Sequence, residues 1–485
     1  MQIRNIGHSF NYEIEKVVRI FLPFEKIRFV EKPDDKENYA VCEIADKLAS
    51  AVIGIGTKKE TASENILSDS EKARELAIAR CVYLCMCRIT GYKSEWGILT
   101  GIRPAKLFSS LSKNGGAEYA KSSFITDYFV SENKVSLCEK TAESEQSIIS
   151  LSKPQSFSLY VSVPFCPSRC SYCSFVSHSV ENAKDIIPEY LRLLKKELEI
   201  TGEIVKNIGL RLETVYVGGG TPTSITADEL KELLFCIKNN FDFSNIREFT
   251  VEAGRPDTVD NEKLAVIKSA GATRISINPQ SMNDEVLKII GRKHTAKQME
   301  EAFYLARQAG FDNINTDVIA GLKGDTPESF KNTVDSLIKL SPESITVHSL
   351  SVKRAANITR NGELPDIAAG INAAKMVEYS RKALEENGLM PYYMYRQSKT
   401  VGNLENVGYS KKGFEGLYNV FIMDETHTVL ACGASAVSKL KEPGGNNIER
   451  IFNFKYPYEY IDRFEELFKR KAEITAFYGD NTVDY

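Results

Sequence analysis

The chain has 485 residues, 42% hydrophobic and 26% charged, which is too long for one compact core and too ordinary in composition for a disordered or fibrous protein. With 62 Lys and Arg against 65 Asp and Glu, the net charge of −3 gives no global field to draw nucleic acid or anionic lipid. Nowhere do apolar residues run for the ~18 positions a membrane span needs, and Met1-Gln2-Ile3-Arg4 does not open a secretory signal, so a cytoplasmic protein is expected. Ten cysteines in so long a chain make no disulfide scaffold; in a reducing compartment, close Cys spacing points to metal or catalysis. The five histidines include no His-Glu-x-x-His, against a zinc hydrolase.

In chain order, residues 1–150 read as an N-terminal α/β domain. Val52-Ile53-Gly54-Ile55-Gly56 suits a short strand, and Ser68-Asp69-Ser70-Glu71 has capping-box spacing ahead of a helix to about Arg88, with Gly91 beyond its end. The polar stretch Glu139–Gln155 is the linker candidate. From Ser156 strands alternate with helices. The strands are expected at Ser158–Val163, Thr214–Val217, Glu248–Glu252, Arg274–Ile277, Asn313–Ile319 and Ser344–Leu350. Between them fall helical stretches at Ile186–Lys206, Asp228–Asn240, Asn261–Ala270, Lys297–Ala309 and Glu328–Leu340. This α/β alternation implies a parallel sheet with right-handed crossovers, a partial (β/α)6 barrel over residues 156–388 with its chemistry at the C-terminal strand ends. Residues 389–485, rich in Tyr and Gly, are expected to form a smaller C-terminal domain packed on the barrel and able to cover substrate. It carries a last amphipathic helix from about Tyr458 to Arg470.

Directly after the first barrel strand comes Pro164-Phe165-Cys166-Pro167-Ser168-Arg169-Cys170-Ser171-Tyr172-Cys173, a Cys-x3-Cys-x2-Cys loop. Three thiolates bind three corners of a 4Fe–4S cubane and leave the fourth iron open, where four would saturate it. The methionine end of S-adenosylmethionine (SAM) suits that open iron, and one-electron reduction through it releases a 5′-deoxyadenosyl radical. Gly218-Gly219-Gly220-Thr221-Pro222-Thr223 ends the second strand, with glycines that admit close backbone approach and amides that can hold the methionine part. Glu252, Gln280 and Asp317 lie at or near the next strand ends, facing one mouth. Each alone would pass as a solvated strand end, but together they make a site.

Cys81, Cys85 and Cys87 lie on the apolar helix Ala77–Arg88 and read as core, as do Cys42, Cys138, Cys236 and Cys432. His348 sits near the predicted mouth, where a structural histidine is the plainer reading. Lys353, Arg354 and Arg360 follow the sixth strand; as loop residues they need no role, but they could pair with substrate carboxylates.

Taken together, Tyr160-Val161-Ser162-Val163-Pro164-Phe165-Cys166, the cysteine triad, Gly219-Gly220-Thr221-Pro222-Thr223 and the run from Asn315 to Leu322 resemble the oxygen-independent coproporphyrinogen III oxidase family of radical SAM proteins. The N-terminal region, Gly101-Ile102-Arg103-Pro104 and Val401-Gly402-Asn403-Leu404-Glu405-Asn406 resemble its HemZ-type branch. The resemblance implies oxidative decarboxylation of two propionates of coproporphyrinogen III to vinyls in haem biosynthesis. Hydrogen is taken from the propionate β-carbon, and carbon dioxide and one electron then leave. It also implies a one-electron reductant such as flavodoxin or ferredoxin, and in that family two SAM molecules share the site. Matched residue by residue, Cys166, Cys170 and Cys173 bind the cluster, and Tyr160 lies against SAM. Gly219, Gly220 and Thr221 hold its methionine part, and Glu252, Gln280, Arg292 and Asp317 contact SAM.

Two departures bear on the activity. Phe175 stands where characterised oxidases carry a further cysteine that is not a cluster ligand, as it does in sister proteins that act as haem chaperones. Those chaperones carry a C-terminal His-Asn-x-x-Tyr-Trp signature, absent here, where the one tryptophan is Trp96. Three readings follow: a coproporphyrinogen dehydrogenase, a haem carrier with a radical SAM fold, and a radical SAM enzyme acting on another tetrapyrrole.

Overall fold

The structure, a computed structural model, describes residues 1–175, 177–353 and 365–480. It divides into two compact units. The first holds Met1–Ala142 with Tyr395–Glu405 and a segment ending at Ala374; the second holds the rest of the chain from Glu143.

The first unit carries β1 (Gln2–Ile6), β2 (Arg28–Phe29), β3 (Tyr39–Ala45), β4 (Leu48–Ile55) and β5 (Lys58–Asn65), in the order β2-β1-β3-β4-β5. Alternate residues of β3 are buried, the period-two pattern of a strand with one face on a core. Ile14, Val17, Val18 and Phe21 of the helix Asn11–Phe21 join that core, as do Ile78, Cys81, Val82 and Cys85 of the helix Glu71–Thr90. The second helix begins at Ser70, whose side chain accepts the Ala73 amide, and ends on Gly91 with φ +69°. Ser68, expected as the cap, instead accepts the Ser70 amide, so the cap falls two residues later. The expected linker is largely helix, Glu132–Ile149, in which Val135, Leu137, Cys138, Ala142 and Ile148 are buried. Such a narrow apolar stripe is masked by the surrounding Ser, Glu and Lys.

Tyr395–Glu405 is fastened into this unit by charge. Glu405 accepts from Trp96 Nε1 at 2.7 Å and Lys134 Nζ at 2.5 Å, and the Arg396 guanidinium lies 4.9 Å over the Trp96 ring. Burial would push the Glu405 carboxyl up, but Lys134 and Trp96 hold it below its ordinary value, as a carboxylate out of water requires.

The second unit is organised by an 11-stranded sheet. After β6 (Ser156–Val163), a short parallel pair, β7 (Phe165–Cys166) and β8 (His178–Ser179), closes the cysteine loop. The sheet then continues with β9 (Arg211–Gly219), β10 (Glu248–Glu252), β11 (Arg274–Ser276), β12 (Ile314–Ala320) and β13 (Ser344–Ser349), each parallel to its neighbour. Helices Ile187–Ile208, Ala227–Asn240, Asn261–Ser269, Ala296–Gln308 and Pro327–Leu340 make the crossovers, giving the partial (β/α)6 architecture. Buried on both faces, β6 shows a near-continuous buried pattern.

The C-terminal region, expected to pack on the barrel, adds strands to this sheet at both margins. β14 (Met390–Arg396) and β15 (Glu405–Ser410) extend the sheet beyond β13, with β15 antiparallel to it. β16 (Thr428–Cys432) adds parallel to β6, followed by β17 (Val437–Lys441) and β18 (Ile448–Phe452), each antiparallel to the strand before. A six-stranded sheet leaves unpaired amides and carbonyls at both margins, and these short strands satisfy them. The last helical stretch is two helices, Pro457–Asp462 and Phe464–Asp480, broken at Arg463. Among the described residues no helix is long and apolar enough to cross a membrane.

Candidate active site

β6 delivers the chain at Val163 into the cysteine loop, whose ends are tied by the pairing of Phe165 with His178 and Cys166 with Ser179. Within the loop the Cys173 amide donates to the Cys170 carbonyl at 3.2 Å, and the Ser171 amide to the Ile290 carbonyl at 3.0 Å. Cys170 is buried, and Cys166 and Cys173 are half-buried. Burial pushes the thiols of Cys166 and Cys173 up, that of Cys173 to about 11. Among the described residues no three His, Cys, Asp or Glu side chains converge as ligands of one metal ion. A cubane does not ask for that, because each of its thiolates binds a different iron.

The glycine segment at the end of β9 fits against the start of this loop. A Cβ on Gly220 would lie 2.5 Å from the Phe165 carbonyl oxygen, and Gly219 has φ +110°, so neither position accepts a side chain. The amides expected to be free for a ligand are partly occupied: Gly220 N–H donates to Val163 O at 2.8 Å and Thr221 N–H to Phe165 O at 2.7 Å. The Thr221 hydroxyl donates to Cys166 Sγ at 3.5 Å.

Behind this rim lies a polar interior. Tyr160 of β6, Tyr216 of β9 and Tyr418 of the helix Leu417–Asp424 are stacked, Tyr216 and Tyr418 with centroids 4.6 Å apart and Tyr160 6.2 Å from each. The Tyr216 hydroxyl donates to Glu252, whose other carboxylate oxygen would be 3.1 Å from a Cβ on Gly218. Burial, with Asp317 adding to it, raises the Glu252 carboxyl to about 7, against the opposing Tyr216 bond. Asp317 is held the other way: burial is outweighed by His348, whose Nε2 is 3.7 Å away, and by Asn315, which donates at 2.8 Å. Arg274, 1% exposed, donates to Ser344 Oγ at 2.7 Å, and Ser344 in turn to Asn315. Gln280 has φ +69°, uncommon for a side-chain-bearing residue, and its buried Oε1 has no hydrogen-bond partner. Its amide donates to the Asp317 carbonyl and its carbonyl accepts from Ile319, so β12 holds the strained residue in place.

Arg292, matched to a SAM contact, here uses its donors on the protein: Nε and Nη2 to the Tyr172 hydroxyl, and Nη1 to the Gly254 and Asn278 carbonyls. It thereby ties the cysteine loop to the ends of β10 and β11. Sequence reasoning passed over Arg255, Tyr172, Tyr216, Arg274 and Tyr418. Arg255 had a signal, an arginine three residues past Glu252 in Gly254-Arg255-Pro256; Tyr418 had none, being remote in sequence. Lys353 is exposed, and Arg354 and Arg360 lie outside the described residues.

A parallel sheet whose first strand opens into a Cys-x3-Cys-x2-Cys loop is the architecture of the radical SAM superfamily, whose model matches residues 160–337. The oxygen-independent coproporphyrinogen-III oxidase-like protein HemZ of Bacillus subtilis is 40% identical over 81% of this chain and 79% of its own length. The heme chaperone HemW of the same organism is 32% identical over 54% of this chain and 66% of its own. Among solved structures, coproporphyrinogen III oxidase (HemN) from Escherichia coli aligns with a TM-score of 0.51 and 20% identity, covering 69% of this chain and 78% of that one. The chain belongs to the HemZ-type family of radical SAM proteins. Its cofactors are therefore a 4Fe–4S cluster and SAM, and three thiols in one short loop, with sulfurs accepting from Thr221 and Arg255, are a donor set that fits such a cluster.

Proposed function

We propose that this protein is a radical SAM enzyme that oxidatively decarboxylates propionate side chains of a tetrapyrrole, coproporphyrinogen III being the substrate and protoporphyrinogen IX the product. Cys166, Cys170 and Cys173 hold the cluster; Gly219, Gly220, Thr221, Tyr160, Glu252, Gln280, Arg292 and Asp317 form the SAM site. When bound, cluster and SAM supply a 5′-deoxyadenosyl radical able to take hydrogen from an unactivated carbon. The residues do the rest. Glu252 and Asp317 offer acceptors to an amine or ribose hydroxyl, and the unpartnered Gln280 Oε1 offers another. Arg292 fixes the loop through Tyr172, and Tyr216, held in the tyrosine stack, orients the Glu252 carboxyl through its hydroxyl.

The observation that carries the reading is this complete polar set around Glu252, which a protein that only carries haem does not need. The HemZ and HemN relatives support it by name. The carrier reading draws on the HemW relatives and on Phe175, 66% exposed beside the cysteines. Anaerobic incubation of reconstituted protein with SAM, a one-electron reductant such as flavodoxin or dithionite, and coproporphyrinogen III tests the proposal. SAM cleavage should accelerate when the tetrapyrrole is added, and a one-vinyl intermediate should precede the two-vinyl product. Stoichiometric haem binding with intact cluster and no decarboxylated product would leave the carrier. Turnover of a different tetrapyrrole alone would leave the third reading.

A further inference from the structure

Two buried arginines bracket the cysteine loop, and they differ in what they touch. Arg292 reaches a tyrosine hydroxyl and two carbonyls, whereas Arg255 reaches sulfur. Its Nε and Nη2 donate to the two Asp257 carboxylate oxygens at 2.9 Å each. Its Nη1 donates to the Ser168 carbonyl at 3.4 Å, to Ser168 Oγ at 3.2 Å and to Cys170 Sγ at 3.9 Å. The arginine side chain is 3% exposed and its carboxylate partner 18%. Water therefore screens the acid more than the guanidinium, and the edge turned to the loop is the positive one.

We infer that Arg255 is a positioning residue for the cluster: it pins the Ser168–Cys170 stretch and sets a fixed positive charge against the Cys170 sulfur, which makes the cluster easier to reduce. The inference rests on the assignment of the cluster to this loop. A cluster on three thiolates is anionic and gains a further negative charge on reduction. A buried cation at one of its sulfurs favours the reduced state, and hydrogen bonds to sulfur and nearby charge are the protein's means of setting the potential. Arginine suits the task because it stays charged when buried, and its planar fork binds Asp257 with one edge while the remaining nitrogen serves the loop. Reduction of the cluster is the step that starts SAM cleavage, so the charge acts on every turnover without touching SAM or substrate.

The test uses the full chain, reconstituted anaerobically, with iron content measured alongside an EPR-monitored redox titration in the absence of SAM. Arg255→Gln should keep its iron and shift the midpoint to a more negative potential; full iron with an unchanged midpoint overturns the inference. Arg255→Lys keeps the charge without the fork and should stay close to wild type in both measurements. If the Gln variant loses its iron, the Lys variant decides. Retained iron with a near-native midpoint supports the inference, and any other result from Lys overturns it, since the loop would then need the shape of arginine and not its charge. Failure of the underlying loop assignment reads differently: Cys170→Ala, with Arg255 intact, would then retain its iron.

Discussion

Cys81, Cys85 and Cys87 lie on one helix of the first unit, and Cys166, Cys170 and Cys173 on one loop of the second. On the helix two of the sulfurs donate, Cys81 Sγ to the Ala49 carbonyl and Cys85 Sγ to the Ala51 carbonyl, both at 3.5 Å. Burial pushes these thiols up, to about 12 and about 11. In the loop the sulfurs accept, Cys166 from the Thr221 hydroxyl and Cys170 from Arg255. A sulfur that donates to a carbonyl must carry its proton to make that bond, while one that accepts from a hydroxyl or a guanidinium keeps its bond as a thiolate, the form that binds metal. Accepting alone does not mark a metal site, since Cys432, in the core, also accepts, from Lys471 Nζ at 3.8 Å; the loop differs in bringing its three cysteines close together at a strand end.

The comparison breaks first at iron. Cys170→Ala should abolish the reconstituted cluster, while Cys81→Ala should keep the full iron content; a reversed or equal loss in elemental analysis would collapse the distinction. Next is SAM. Losing the Glu252 carboxylate removes charge-assisted hydrogen bonds of about 1.5–3 kcal/mol, so Glu252→Ala should weaken SAM binding roughly ten- to a hundredfold with the cluster intact. Calorimetry giving native affinity would remove Glu252 from the site.

The same residue predicts a pH dependence. Its folded value, about 7, lies above the unfolded value near 4.5. The native state therefore holds this proton more tightly, and the associated stability is complete below about 4.5 and lost as pH rises through about 7. The loss should be on the order of 3 kcal/mol in the apo protein. Glu252→Gln should flatten that slope in urea titrations across the same window, and parallel slopes would place the titration elsewhere. The smallest effect belongs to the helix, where Cys81→Ala should cost about 1 kcal/mol of stability and leave SAM cleavage unchanged.

Much of this was legible from spacing. The six parallel strands announced themselves because each is a short Val-, Ile- or Thr-rich run followed by a helical period, and the cysteine loop because its three thiols fall within one turn of chain after the first strand. Less visible were the strands after Gly388. They break the regular strand-helix alternation with antiparallel pairings, and exist because the sheet margins need partners, which only the assembled sheet defines. Glu132–Ile149 was hidden by polar composition. Arg255 and Tyr216 escaped because their roles depend on direction: one turns toward Cys170 and the other toward Glu252, and neither turn is written in sequence spacing. The glycine run reads as a close-approach segment, and at Gly220 the backbone that approaches is that of Phe165.

The central claim is that the cysteine loop and the polar interior around Glu252 form one site, with the cluster's open iron receiving SAM. EPR of the dithionite-reduced, reconstituted protein with and without SAM tests it directly. The account predicts that SAM changes the g-values of the reduced cluster in the wild type, and that Glu252→Ala needs far more SAM for the same change. A spectrum that SAM leaves untouched, in protein with full iron and measurable SAM binding, would contradict it.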